Sequence, residues 1–261
     1  MHDEDEEYIS DEENIQDKLQ SFLGKIPENF SILEEEIDVD IQMEYFKFAK
    51  KIKRSNNKDA LLQEELLYNN ETSENDKKTI VVKLAGIDDP KAFRIIEKFK
   101  AFQKGKELFE WTAMAYQESL MLMQGTLLEE NQIFISTGMG GKGKKLRYFV
   151  AFIPENGTAF TKTQTNLIKS EVEYSFLNTE CEIETFNVSE KYLTLTTLMP
   201  LQVNIKQIFS EAIYECNQIG NFISENFIVT NVKKLTDKEI EDFIKKSNKE
   251  GEINELNISL E

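Results

Sequence analysis

Histidine occurs once in the 261 residues, at position 2, and cysteine twice, at 181 and 216. One imidazole near the start of the chain leaves no base for a Ser-His-Asp or Cys-His mechanism. Two thiols with 34 residues between them and no CxxC cannot assemble a zinc site, and they are too few for a secreted disulfide framework. Cys181 and Cys216 read as small apolar residues of a core. No apolar run approaches the roughly 20 residues that cross a bilayer. The acidic start, Met1 to Glu7, has neither the basic nor the apolar region of a signal peptide. These absences lead us to expect a cytoplasmic protein with no membrane partner, no metal, no cofactor and no catalytic residue.

Hydrophobic residues make up 40% of the chain, with 18 Phe and 8 Tyr, which is enough for a packed globular protein. At this length two modest cores are a common solution. The net charge of -17 argues against nucleic-acid binding by the protein as a whole, but the charge is unevenly placed. Residues 1–40 hold fifteen Asp/Glu and two Lys, whereas residues 131–235 hold ten of each sign. The segment 1–36 therefore reads as an acidic, solvated tail, or as an arm that docks on a basic partner or on a basic site of its own chain.

Helical spacing begins at Ile37. Met43, Phe46 and Ala49 line one face, and Leu61, Leu62 and Leu66 restart it after Ser55-Asn56-Asn57. A helix carrying Ile80, Val81 and Leu84 ends near Gly86. Asp88-Asp89-Pro90 opens the next, with an acidic N-cap and proline in the first turn. A long helix over 106–128 repeats Phe109, Ala113, Tyr116, Leu120, Met123 and Leu127, with a second stripe at Leu108, Trp111, Ala115 and Leu122. Trp111, Tyr116, Met114, Met121 and Met123 at this spacing are expected in a core. The run Leu84-Ala85-Gly86-Ile87-Asp88-Asp89-Pro90-Lys91-Ala92, followed by Ile95-Ile96 and a helix with Ala113 and Ala115, resembles a HEAT-type repeat of the kind found in phycobilin-lyase-like helical scaffolds. The resemblance covers residues 76–127 and implies a protein-binding scaffold.

The period changes in the second half. Strands are expected at 133–137, 146–153, 182–188, 192–199 and 227–232, helices at 163–177 and 204–219, and a C-terminal helix after Thr236 with a capping-box start. The segments 145–154 and 191–200 match in pattern at an offset of 46, each ending in proline. The fold class expected is α+β: a HEAT-like helical region over 37–128, then a β-β-α-β-β-α domain over 129–235 with a mostly antiparallel sheet, then a helix and tail over 236–261.

Between the first two strands lies Ser136-Thr137-Gly138-Met139-Gly140-Gly141-Lys142-Gly143-Lys144-Lys145. Its glycines match the spacing of both a P-loop and a dinucleotide fingerprint, but each of those must open a helix, and here a strand follows. Lys145 also stands where a P-loop needs Ser or Thr. The stretch reads as a locally basic hairpin tip, with Gly138, Gly140, Gly141, Lys142, Gly143, Lys144, Lys145 and Arg147 as the candidate binding loop. Carboxylate pairs such as Glu171/Glu173 and Glu182/Glu184 fall at the spacing of solvated faces. The function expected is a non-catalytic adaptor engaging a protein partner, with a phosphate-ligand or RNA-binding module centred on the loop as the alternative.

Overall fold

The computed structural model describes residues 30–52, 58–128 and 133–250. It is an α+β protein with eight helices and seven strands among those residues. The helical part comprises α1 (Val39–Lys51), a 3-10 turn (Lys58–Gln63), α2 (Glu64–Tyr68), α3 (Glu74–Ala85), α4 (Pro90–Gln103) and α5 (Phe109–Leu128). Sequence grammar accounts for most of their ends. The side chains of Asp38, Ser73 and Asp89 accept backbone N–H groups at the starts of α1, α3 and α4, and Pro90 occupies the first turn of α4. Tyr45, Leu67, Ile80, Val81, Leu84, Ile96, Phe99, Trp111 and Met114 fill one core between these helices. Because α5 lies across α1, α3 and α4 and is buried on several sides, the helices close around that core and do not stack as an open array of pairs.

The second part begins with β2 (Ile133–Ile135), β3 (Gly141–Lys142) and β4 (Lys145–Phe152). It continues through α6 (Lys162–Phe176), β5 (Glu182–Val188), β6 (Leu193–Pro200), α7 (Ile205–Ile219), β7 (Ile228–Thr230) and α8 (Asp237–Glu250). The main sheet runs β5-β6-β4-β7, all antiparallel, with the two-residue β3 sharing the β7 edge of β4. From β4 onward the order is β-α-β-β-α-β, the ferredoxin-like split arrangement. The expected β-β-α-β-β-α order is corrected at one point. Strand β2 does not join the sheet; it pairs in parallel with β1 (Phe30–Ile32), over Phe30↔Ile133 to Ile32↔Ile135. The segments that match at an offset of 46 are the two central strands, β4 and β6, paired from Lys145↔Pro200 to Phe152↔Leu193.

One face of the sheet is closed by α6 and α7. Leu146, Tyr148, Val150 and Phe152 of β4 and Leu193, Leu195 and Met199 of β6 pack against Ile168, Val172, Phe209, Ile213 and Cys216. Burial pushes the phenol of Tyr148 and the thiol of Cys216 both up to about 12, so neither ionises near neutrality. On the other face Phe149, Ala151, Tyr192, Ile228 and Met139 lie under Ile240, Phe243 and Ile244 of α8. The spacing i, i+3, i+4 of those three side chains is what presents an apolar edge of α8 to the sheet.

Helix α8 is further held by exposed charges. Thr236 and Glu239 form the expected capping box, and Glu239 also takes a hydrogen bond from Lys233, which together hold its carboxyl down to about 2. Glu241 is lowered by its hydrogen bond from Lys191. A depressed carboxylate stabilises the fold above its unfolded value, ordinarily 4.5, and loses that contribution as pH falls through the folded value. Amide-exchange protection of α8 is thus expected to hold above about pH 4.5 and to fall selectively between there and pH 2, less steeply at high salt, where the exposed ion pairs are screened.

Candidate functional site

The glycine stretch is built differently from a hairpin tip. Gly138, Met139, Gly140 and Gly141 are buried. They pass between residues 34–37 on one side and residues 231–232 on the other, and each glycine marks a close approach. A Cβ on Gly138 would stand 1.8 Å from the Val232 carbonyl oxygen, one on Gly140 2.4 Å from that of Glu35, and one on Gly141 2.2 Å from that of Lys145. The segment is tied by Ile37 N–H to Gly138 O (3.1 Å), Met139 N–H to Asn231 O (2.9 Å) and Arg147 N–H to Gly140 O (2.9 Å). The N–H groups of Met139 and Gly140, which a ligand would need, are already spent on the carbonyls of Asn231 and Thr137.

Only Lys142, Gly143 and Lys144 form an exposed tip, with Gly143 at φ +59°. The charges around it are met from within the chain. Gly143 N–H donates to Glu34 Oε1 (3.1 Å), Lys145 pairs with Glu182 (2.6 Å), and Arg147 forms a forked pair with Glu184 (2.5 and 3.0 Å). The hydrogen bonds it donates to Glu184 raise the Arg147 pKa further. Arg147 also donates to Met139 O (2.8 Å), so it acts as a brace between β4, β5 and the glycine segment. The eight candidate residues are therefore brought together, but as a packed junction with one small exposed corner. Glu182 and Glu184, read as a solvated face, are the counter-ions of that junction.

The acidic segment read as a tail over 1–36 is likewise divided. Its first 29 residues, with His2, lie outside the described residues. From Phe30 it is strand β1, then Leu33 and Ile37 buried to 0% and 1% exposure. The three consecutive acids Glu34, Glu35 and Glu36 go to three different elements: Gly143 at the β3–β4 turn, Lys100 on α4, and Lys234 before α8 (3.5 Å).

A second surface carries what the loop lacks. Helix α4 buries Ala92, Ile95, Ile96, Phe99 and Gln103. With that face fixed inward, Lys91, Arg94 and Lys98 at i, i+3 and i+7 are turned to solvent in one row about 10 Å long. Residues 90–106 contain six Lys/Arg and one Glu, with Asp88 and Asp89 just ahead of the helix. The row borders a cleft whose walls are Leu61, Glu64, Pro90 and Ile95. Its ion pairs are loose or exposed: Lys98 to Glu64 at 3.8 Å and Arg94 to Glu97 at 2.6 Å, with both basic side chains about two-thirds exposed. Such pairs contribute about 0–1 kcal/mol and exchange readily for another anion. At the end of the row the Phe102 ring, 46% exposed, lies under the Lys106 ammonium, 3.4 Å from the ring centroid. Sequence reasoning over halves of the chain missed this surface; counting charge helix by helix finds it.

Among the described residues no group of three or more His, Cys, Asp or Glu is placed to hold a metal ion, and no helix is long and apolar enough to cross a membrane.

No family model matches the chain, and no curated protein matches it. Among the solved structures that do match are one described as a transposase from Deinococcus radiodurans R1 and a REP-associated tyrosine transposase bound to a REP hairpin. The first is 14% identical over 39% of this chain and 90% of that one, with a TM-score of 0.33. The second is 15% identical over 41% of this chain and 70% of that one, with a TM-score of 0.31. Both neighbours are described as transposases. The expectations of a non-catalytic adaptor and of a protein that is not an enzyme are corrected accordingly. At these scores no activity is carried over to this chain.

Proposed function

We propose that this protein binds nucleic acid along α4, through the phosphate backbone. The observation that carries the reading is the row Lys91, Arg94 and Lys98. These are three outward cations on one rigid helix face, within a stretch that is strongly basic while the chain as a whole is at -17. A polyanion gains from such a row because each cation that meets a phosphate releases condensed counterions, an effect a single lysine cannot supply. The apolar wall of the cleft and the exposed Phe102 ring add surface against which a sugar or base can lie. Backbone contacts of this kind fix position and carry little sequence information.

Fluorescence anisotropy of a labelled oligonucleotide, titrated with the full chain at several salt concentrations, tests the proposal. Three phosphate contacts predict that log affinity falls against log salt with a slope of about -2 for a single strand and nearer -3 for a duplex. Affinity that is absent at low salt, or that does not change with salt, would remove the reading.

A further inference from the structure

We infer that the α4 cleft takes a single strand in preference to a duplex, and that Glu64 reads one base by its amino group. The inference rests on the proposal that Lys91, Arg94 and Lys98 hold the phosphate backbone, and it names the strand form and the bases that this site prefers.

Charge alone does not single out this face, since Lys47, Lys50 and Lys51 of α1 are exposed as well. The cleft does. It has a volume of about 380 Å³ between the 3-10 turn, the start of α2 and α4, with Leu61, Pro90 and Ile95 as its apolar wall and Lys91, Arg94 and Lys98 along its border. That volume lies at the small end of the range for ligand sites, ~300–1,000 Å³, and suits one base with its sugar. In a duplex each base is stacked on its neighbours and cannot lay its face on such a wall. In a single strand it can.

The acid in the lining sets which base. A site for phosphate alone gains nothing from a carboxylate, which repels the ligand, yet Glu64 stands among the three cations. It is paired loosely with Lys98 at 3.8 Å, and 39% of its side chain is exposed. A phosphate that reaches Lys98 breaks this pair and leaves the Glu64 carboxylate as a hydrogen-bond acceptor facing the cleft. Adenine, cytosine and guanine each carry an exocyclic amino group that can donate to it. Thymine and uracil carry none, and they present carbonyl oxygens on both sides of their one ring N–H. The site thus combines cations for the backbone, an apolar wall for a base face and an acceptor for the amino group of that base.

The test is fluorescence anisotropy with the full chain at one moderate salt concentration, comparing an oligo-dC, an oligo-dT of equal length and a mixed-sequence duplex. Oligo-dC is expected to bind about fivefold to tenfold more tightly than oligo-dT, the effect of one hydrogen bond to a charged but part-exposed group. It is also expected to bind more tightly than the duplex, in spite of the higher charge density of the duplex. The variant Glu64→Gln separates readout from repulsion. If Glu64 reads the amino group, the ratio of oligo-dC to oligo-dT affinity falls to about one in the variant. A carboxylate that merely repels phosphate gives a variant that binds both strands more tightly by the same factor, and that result overturns the inference. Equal affinity for the two strands in the unaltered chain, or a duplex bound as tightly as oligo-dC, overturns it as well. Salt-dependent binding without these preferences leaves the backbone reading of α4 standing, whereas no binding of any oligonucleotide at low salt removes both, so the two failures are told apart.

Discussion

Gly138→Ala unfolds or severely weakens the protein, whereas Gly143→Ala, five residues on, costs less, about 1–2 kcal/mol. At Gly138 the new methyl would lie 1.8 Å from the backbone oxygen of Val232 and 3.1 Å from a side-chain carbon of Val39. A carbonyl oxygen in a packed junction cannot rotate away as a side-chain tip can, so the backbone of 231–232 or of 137–139 must shift. That shift pulls on the Met139 N–H to Asn231 O bond and on Ile37 N–H to Gly138 O together. Overpacking commonly costs about 1–3 kcal/mol, and a clash with backbone on one side and an anchored strap on the other belongs at or above the top of that range. For a chain of this size about 3 kcal/mol lowers Tm by roughly 6–12 °C. Gly143 has nothing within 4 Å of its Cβ position and differs only in its φ of +59°. The left-handed conformation alone costs an alanine about 1–2 kcal/mol. Thermal melts of the two variants side by side check the contrast.

The second large effect is expected on binding and not on stability. Changing Lys91, Arg94 and Lys98 together to Glu replaces three phosphate contacts by three repulsions on a helix whose buried face is untouched. At about 1–1.5 kcal/mol each, the ordinary net contribution of one hydrogen bond, losing three costs about 3–4.5 kcal/mol, or roughly a hundredfold to two-thousandfold in affinity. Because two-thirds of the Arg94 and Lys98 side chains is solvent-exposed and their ion pairs are weak, the melting temperature should change by only a few degrees. The salt slope of whatever affinity remains should flatten by about one unit per lost contact.

Much of the fold was legible because its signals are local. Strands β4 and β6 were bounded to within a residue by alternating Phe, Tyr, Leu and Thr side chains, and the starts of α4 and α8 by a capping side chain with its partner two or three residues on. What the sequence did not convey is long-range. Phe30-Ser31-Ile32 is too short to show a period, and its parallel partner is 103 residues away at Ile133–Ile135. The strand that follows the glycines of 138–141 argues against a P-loop or dinucleotide motif, yet nothing local says that Val232 and Glu35 press against them from 94 residues downstream and 105 upstream. Likewise Glu182 and Glu184 look free until the pairing of β5 with β6 and β6 with β4 sets them beside Lys145 and Arg147. The basic row of α4 was legible in principle, since the positions that face inward also dictate which face Lys91, Arg94 and Lys98 must occupy.

Two of the basic surfaces thus compete for the same role: the exposed corner at Lys142 and Lys144, which the sequence alone favours, and the row on α4. The decisive measurement is oligonucleotide affinity at low salt for two full-length variants, Lys91/Arg94/Lys98→Glu and Lys142/Lys144→Glu, each compared with the unaltered chain. The α4 variant is expected to lose binding by about a hundredfold or more and the corner variant by less than about tenfold. Retained affinity in the α4 variant, with loss in the corner variant, would contradict the account and return the site to the glycine loop.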